Sequence, residues 1–302
     1  MIENAAVSPT AQRRRAPELI SVVVPVRNCE PYVGEQMAAL ANQTYTGPWE
    51  VLVVDNGCTD RSMEVVRGWR DRLPRLEIVD ASERRGLNHA RNMGAAAARG
   101  DFVAFCDGDD AVASDWLAAM ADGATRADIV GGEIELTELN DAVSQAWESG
   151  VPLEGLAMSG HVPYPPGGNC GVWASVAHAI GWDEEFRYGS SDMAFGWRAR
   201  LAGFHAEFVP EAVIRLRYRT TLPALAKQYF RYGVSEPHLY RRFRGHGMPR
   251  SSVREALDTW LWLARNAQSL AGTQSARGHW LRVAATRAGR LCGSLRWGVL
   301  YP

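Results

Sequence analysis

The chain has 302 residues, of which 46% are hydrophobic and 22% are charged, a balance typical of a globular protein with a sizeable core. No apolar run reaches the length of a membrane span, and the first one, residues 20–24, is too short for a signal peptide. We therefore expect a cytoplasmic protein with a flexible lead over residues 1–18. The five cysteines form no Cys-x-x-Cys pair, which favours reduced, structural thiols.

The net charge of −1 conceals an asymmetry. From Arg215 to the C-terminus the chain carries 16 Lys/Arg and only 3 Asp/Glu, so the remainder is acidic. Such a distribution predicts that the C-terminal segment faces something anionic.

Short apolar runs alternate with helix-like segments in the first half of the chain. The predicted strands are residues 20–26, 51–54, 76–79 and 102–106. The signals for the intervening helices are Pro31, Thr59 or Asp60, an alanine-rich run before Gly100, and Ser114. This alternation predicts a parallel sheet with helices on both faces.

After about residue 129 the predicted strands and helices no longer alternate regularly. A strand over residues 133–136, a Pro/Gly-rich loop over residues 150–171, a helix over residues 192–202 and a strand over residues 206–214 are predicted in turn. Beyond Leu222 the chain is predicted to be helical and basic to its end.

Two of the predicted strands run directly into aspartates. Residues 51–54 lead into Asp55, and residues 102–106 lead into the sequence Asp107-Gly108-Asp109-Asp110. Ligands bind beyond the carboxyl ends of strands in open parallel sheets, so these carboxylates should meet at one crevice. An isolated D-x-D is more often an acidic turn, but crowded carboxylates at a strand end suit a divalent cation that holds a diphosphate.

Four segments, in order, resemble the motifs of the family 2 glycosyltransferases: SVVVPVRN at 21–28, VVDNGCTD at 53–60, GLNHARNMG at 86–94 and DGDD at 107–110. The resemblance extends from about Ser21 to Arg219. It implies the GT-A fold, a Rossmann-like, mostly parallel α/β sheet. The implied catalytic domain spans residues 19–220, with a donor half over about 19–128 and an acceptor half over about 129–220. Residues 221–302 form a helical, basic extension.

The resemblance also implies roles for individual residues. The donor-binding positions are Pro25, Val26, Asn28, Asp55, Arg91, Asp107, Gly108 and Asp109. Asp55 would bind the base or ribose, and Asp109 together with Asp107 would hold Mg²⁺ or Mn²⁺. The implied acceptor-binding positions are Asn169, Trp173 and Ser191, and Asp192 would be the general base. From spacing alone, Asp192 could equally be a helix N-terminal residue favoured by the dipole.

The chain departs from the family at three of these places. Ser191 stands where a glutamate is usual, and Trp173-Ala174 stands where an arginine pair is frequent. Arg215 occupies the position of a metal-binding histidine. Arginine cannot ligate a cation, but Arg215 and Arg217 could pair with phosphate directly and so join the donor-binding set.

The expected activity is inverting transfer of a sugar from a nucleotide-diphospho-sugar, a UDP-sugar by preference, to a hydroxyl of a glycan, lipid-linked or small-molecule acceptor. A dinucleotide-binding oxidoreductase is excluded because no Gly-rich turn follows the first strand. A nucleotidyltransferase and a non-catalytic relative that binds nucleotide or membrane are the alternatives.

Basic residues from Arg277 to Arg296 are interleaved with tryptophan and leucine. This mixture suits a helix at the inner, anionic face of a membrane, and it suits equally a helix packed on the catalytic domain. No nucleic-acid motif is present, so we expect no nucleic-acid partner.

Overall fold

The computed structural model describes residues 15–148 and 155–302. Most of the predicted N-terminal lead and part of the predicted Pro/Gly-rich loop lie outside the described residues.

Within the described residues, eight strands form one sheet in the order β3-β2-β1-β4-β9-β6-β10-β5, and β7 pairs with β8. The strands are β1 Ile20–Val26, β2 Trp49–Asp55, β3 Leu76–Asp80, β4 Phe102–Cys106, β5 Ala111–Val112, β6 Ile129–Glu135, β7 Ala157–Ser159, β8 Val162–Tyr164, β9 Asn169–Trp173 and β10 Ala206–Arg215.

The helices are α1 Val33–Ala41, α2 Ser62–Arg67, α3 Leu87–Ala97, α4 Trp116–Ala124, α5 Ala142–Trp147, α6 Ala174–Ile180, α7 Ser191–Leu201, α8 Leu222–Phe243, α9 Val253–Arg265 and α10 Gln274–Trp297. Two short 3₁₀ turns, Arg244–His246 and Ala267–Ala271, join the last three helices.

The prediction of a mostly parallel sheet is confirmed. Strands β3, β2, β1 and β4 run parallel to one another, as do β6 and β10. The antiparallel members are β9, which lies between β4 and β6, and the short β5. The segment 150–171, which the sequence predicts as a loop, contains β7 and β8 and the start of β9. Its prolines and glycines hide these short strands.

Helices cover both faces of this sheet. Gly94 of α3 lies against Val23, and Met120 of α4 lies against Gly171. Val23 pairs with Phe105, whereas Gly171 pairs with Ala104, the preceding residue of the same strand. Neighbouring strand residues point to opposite faces, so α3 and α4 lie on opposite sides of the sheet.

Local signals fix several element ends as predicted. The N-cap position of α2 is Arg61, which makes no side-chain cap hydrogen bond, but the Asp60 carboxylate accepts the backbone N–H of Ser62, the first residue of the helix, at 3.0 Å. Helix α4 begins two residues after Ser114, but its first turn has no side-chain cap. Every residue of β1 is buried, as the β-branched run at residues 20–26 predicts.

The C-terminal extension is helical, as predicted, and α10 packs along α8 through glycines. A Cβ on Gly289 of α10 would collide with the carbonyl oxygen of Phe230, and one on Gly233 of α8 with that of Thr286. The two backbones therefore approach closely in a way that only glycine allows.

Several arginines of α10 contact neighbouring elements. Arg290 pairs with Glu236 at 2.5 Å, Arg287 donates to Thr259 Oγ1 at 2.8 Å, and Arg282 lies over the ring of Tyr229 at 5.5 Å. These contacts occupy part of the basic surface that the sequence predicts to face either a membrane or the catalytic domain. Membrane binding stays a prediction. No helix in the described part of the chain is both long enough and apolar enough to span a bilayer.

We predict that Gly289→Ala destabilises the protein. Alanine usually stabilises a helix by about 0.5–1 kcal/mol relative to glycine. Here the added methyl group must push α8 and α10 apart, which costs about 1–3 kcal/mol. Urea unfolding should show a lower midpoint for the variant.

The control is Gly245→Ala, because no atom lies within 4 Å of a Cβ at that position. Its midpoint should match that of the unchanged protein. Equal midpoints for both variants would contradict the close packing of α8 on α10.

Candidate active site

The two strand-end carboxylates lie at the same edge of the sheet. Asp55 ends β2 and Asp107 follows β4, and both of these strands flank β1. One oxygen of Asp55 accepts the backbone N–H groups of Gly57 and Cys58, at 3.1 and 2.8 Å. Asp55 therefore holds its own turn and keeps its other oxygen available for a ligand.

Asp107 forms an ion pair with the buried Arg91. Nη2 of Arg91 donates to Oδ1 of Asp107 at 2.9 Å, and the Arg91 side chain is only 2% exposed. The guanidinium carbon lies 4.6 Å from the centre of the Trp182 ring, in cation–π geometry. The pair thus joins α3, the end of β4 and the segment that precedes α7.

Two glycines bring the backbone up to this ion pair. A Cβ on Gly167 would lie 2.7 Å from Nη1 of Arg91, and one on Gly168 would lie 2.8 Å from Oδ2 of Asp107. Neither glycine is among the site residues predicted from the sequence. The richness of the 150–171 segment in proline and glycine is the signal that could have found them.

The other two aspartates of the acidic loop have different surroundings. Asp109 accepts from Nη1 of Arg219 at 3.2 Å, and Asp110 accepts the backbone N–H of Arg217 at 2.8 Å. Burial raises the pKa of Asp109, and the charge of Asp107 raises it further, while Arg219 opposes the shift. Burial raises the pKa of Asp110 well above its usual range. Asp110 is therefore a structural anchor, and Asp109 is the more available carboxylate.

The loop glycine Gly108 lies tightly against β1. A Cβ there would be 2.9 Å from Cγ2 of Val26 and 3.1 Å from the carbonyl oxygen of Pro25. The structure therefore brings three predicted donor-binding positions together. Asn28, a fourth, has a positive φ of 53° and accepts the N–H of Thr59 at 2.8 Å.

Asp192 is the second residue of α7, and the N-cap residue Ser190 has a left-handed backbone with a φ of 57°. Burial raises the pKa of Asp192, Arg91 opposes the shift and Asp107 adds to it. The carboxylate is thus close enough to the Arg91–Asp107 pair to interact with both charges. The structure brings the predicted base and the predicted donor site together.

A crevice of about 710 Å³ opens beside these groups. One wall contains Pro25, Val26 and the start of α3, and the opposite wall contains Ser191 and one face of α8. Arg219, the partner of Asp109, also lines it. The contribution of α8 goes beyond the predicted catalytic domain of residues 19–220.

Two of the predicted acceptor-binding residues point into the domain. Trp116 Nε1 donates to Oδ1 of Asn169 at 2.7 Å, and Nδ2 of Asn169 donates to two backbone carbonyls. The indole N–H of Trp173 likewise donates to backbone carbonyls, at 3.1 and 3.2 Å. Their polar groups are used in holding the sheet and its helices together. Of the three, only Ser191 lines the crevice.

Arg215 and Arg217 also have partners within the protein. Arg215 Nε lies 2.6 Å from Oε2 of Glu138. Arg217 pairs with Glu35, and its guanidinium lies 4.6 Å from the centre of the Tyr32 ring. The side chains of both Arg217 and Arg219 reach the acidic loop, since Nε of Arg217 donates to the carbonyl oxygen of Asp109 at 3.0 Å. Of these two, Arg219 is the one that lines the crevice.

The candidate metal ligands are the two carboxylates Asp107 and Asp109. Among the described residues, no group of three or more His, Cys, Asp or Glu side chains could hold a metal ion. Carboxylate oxygens suit Mg²⁺ or Mn²⁺. Burial raises the pKa of Asp109 and the neighbouring charge of Asp107 raises it further, and a cation would offset both effects. The residues fit a cation that takes its remaining ligands from substrate and water.

Comparisons with known structures identify the fold. A mannosyltransferase of Pyrobaculum calidifontis, PcManGT, solved with GDP-Man and Mn²⁺, superposes with a TM-score of 0.62 at 20% identity, over 95% of this chain and 90% of that one. S. aureus TarS in complex with UDP-GlcNAc gives a TM-score of 0.53 at 18% identity, over 94% of this chain and 93% of that one. The fold is GT-A.

The sequence model of Glycosyl transferase family 2 matches residues 21–172, half of the chain. The protein therefore belongs to the family 2 glycosyltransferases. This membership decides against the nucleotidyltransferase alternative.

Individual relatives agree with this assignment. Glycosyltransferase AglE of Haloferax volcanii is 27% identical over 248 residues, covering 81% of this chain and 79% of its own. An uncharacterized glycosyltransferase of Haemophilus influenzae is 35% identical over 99 residues, covering 33% of this chain and 39% of its own. EpsJ of Bacillus subtilis, an uncharacterized glycosyltransferase, is 36% identical over 115 residues, covering 37% of this chain and 33% of its own.

Proposed function

We propose that the protein transfers a sugar from a nucleotide-diphospho-sugar, a UDP-sugar by preference, to a hydroxyl acceptor in a single displacement that inverts the anomeric centre. The observation that carries the proposal is the position of Asp192, within interaction range of both Arg91 and Asp107. A base candidate that interacts with two residues of the donor site suits direct attack without a covalent intermediate.

The donor's nucleoside would lie at the ends of β1 and β2. Asp55 has a carboxylate oxygen available there for the base or ribose, and Pro25 and Val26 line the crevice beside it. The preference for uridine rests on TarS, whose structure contains UDP-GlcNAc. PcManGT, which was solved with GDP-Man, makes a guanosine donor the second choice.

The donor's diphosphate would lie at the acidic loop. Asp107 and Asp109 are the residues that would hold Mg²⁺ or Mn²⁺, and such a cation neutralises the charge that develops on a departing diphosphate. Manganese in the PcManGT structure supports this choice of cofactor. Arg219 beside Asp109 adds a fixed positive charge that is always present.

The Asp192 carboxylate would accept the proton of the attacking hydroxyl. A hydroxyl is a weak nucleophile near neutral pH, and a base within reach of its proton contributes about 10²–10⁴ in rate. Burial raises the pKa of Asp192, which makes its carboxylate a stronger base than an exposed aspartate.

For donor binding, we predict that Asp55→Ala weakens UDP affinity about tenfold, the usual effect of losing a hydrogen bond to a charged group. Calorimetric titration with UDP measures it. Asp80→Ala is a matched control, because Asp80 also ends a strand and accepts a local N–H, from Ser82. An unchanged affinity of the Asp55 variant would remove this residue from the nucleoside pocket.

For the cation, we predict that transfer of sugar from a UDP-sugar stops in EDTA and returns when Mg²⁺ or Mn²⁺ is added in excess. Potassium chloride at matched ionic strength is the control and should restore nothing. Full turnover in EDTA would instead assign the diphosphate to Arg219.

For the base, we predict that Asp192→Asn lowers kcat by about 10²-fold or more, because the amide cannot accept the proton. UDP affinity should remain within about twofold, since removing a base leaves ground-state binding intact. The exposed Asp258 gives the control variant Asp258→Asn, which should keep full activity.

The same assignment predicts a pH profile. Only the ionised carboxylate is a base, and burial raises its pKa, so kcat/KM should fall with acidification at a pH above the ordinary aspartate range. The residual activity of Asp192→Asn should lack this acidic limb. A variant that turns over normally would leave the base unassigned.

A further inference from the structure

The crevice is lined by an excess of positive charge. Among the described residues that line it, Glu184 alone is acidic, and Glu184 pairs with Arg84. Arg219 pairs with Asp109. Five more basic residues line the crevice and have no carboxylate partner within the described chain: Arg27, Arg85, Arg187, Lys227 and Arg231.

These cations fall into two sets according to the elements that carry them. Arg27 follows β1 and Arg85 precedes α3, which places both at the end of the crevice assigned to the nucleoside. Arg187 precedes α7, and Lys227 and Arg231 lie one turn apart on α8. We call Arg187, Lys227 and Arg231 the acceptor-side cations.

The wall that carries these cations adjoins the candidate base. A Cβ on Gly189 would lie 2.7 Å from the ring of Tyr232, and the hydroxyls of Ser190 and Ser235 are 2.8 Å apart. The charge of Asp192 in turn raises the pKa of Tyr232, beyond the larger effect of burial. Helix α8 therefore faces the space from which an acceptor hydroxyl would reach Asp192.

The donor does not account for the acceptor-side cations. Its diphosphate is already matched by Arg219 and by the cation proposed at Asp107 and Asp109. Three further positive charges on one wall, without carboxylate partners among the described residues, give that side of the crevice a positive potential that attracts an anion. Charge complementarity therefore calls for a second anionic group beside the donor.

We propose that the acceptor carries a phosphate group, held by Arg187, Lys227 and Arg231 while the acceptor hydroxyl reaches Asp192. Guanidinium and ammonium groups are the usual protein donors to phosphate. The inference rests on the proposed function, since it takes the position of the base from it. A lipid phosphate and a soluble polyol phosphate share this chemistry.

The test titrates the protein with matched pairs of probes, with and without saturating UDP. Glycerol 3-phosphate is compared with glycerol, and farnesyl phosphate in neutral micelles with farnesol. The phosphorylated member of at least one pair should bind more tightly than its alcohol. A preference confined to the farnesyl pair identifies a lipid-borne phosphate, and one confined to the glycerol pair identifies a soluble acceptor.

The double variant Lys227→Gln/Arg231→Gln should bind the phosphorylated probe about tenfold more weakly and keep its UDP affinity. The control double variant Arg242→Gln/Arg244→Gln makes the same change of charge at exposed positions that do not line the crevice. It should keep both its phosphate affinity and its UDP affinity. Added salt should weaken phosphate binding more than UDP binding if a metal ion holds the diphosphate.

Three results would overturn the proposal: no preference for phosphate in either pair, an equal loss in the control variant, or a loss of UDP affinity in the α8 variant. The last result would place the α8 cations in the donor site. Failure of the unchanged protein to bind UDP would instead count against the proposed function, and the titrations without UDP would still decide whether a phosphate site exists.

Discussion

The ion pair between Arg91 and Asp107 is the interaction on which the site depends. A guanidinium that is almost fully buried is costly unless a nearby charge compensates it, and Asp107 supplies that charge at 2.9 Å. The two residues lie on α3 and after β4, and Gly167, Gly168 and Trp182 pack around them. Removing Asp107 would leave the buried guanidinium of Arg91 without its partner, which is strongly destabilising.

The acidic loop divides its three carboxylates among separate tasks. Asp107 balances Arg91, and Asp110 fixes the backbone of Arg217 at the end of β10. The carboxylate of Asp109 accepts from Arg219, and its backbone carbonyl accepts from Arg217, both in the segment that links β10 to α8. Because the same short segment anchors the loop and leads into α8, the position of the helix and that of the acidic loop are coupled.

The C-terminal extension completes the site and is more than an appendage. Helix α8 supplies one wall of the crevice, and the glycine contacts with α10 fix where that wall lies. The basic residues of the extension thus lie in two different environments. Part of it, on α10, is used in contacts such as Arg290 with Glu236, and part of it, on α8, faces the crevice.

Local sequence patterns are enough to predict the buried strands, the aspartates at their ends and the motifs that identify the family. Which side chains face the crevice depends instead on how distant segments pack together. Asn169 accepts from Trp116 and Arg217 pairs with Glu35, contacts between residues far apart in the chain that divert both side chains from a ligand. Lys227 and Arg231 look from sequence like an ordinary helix surface. They line the crevice because α8 folds back beside α7, and no periodicity within one segment records where another segment packs.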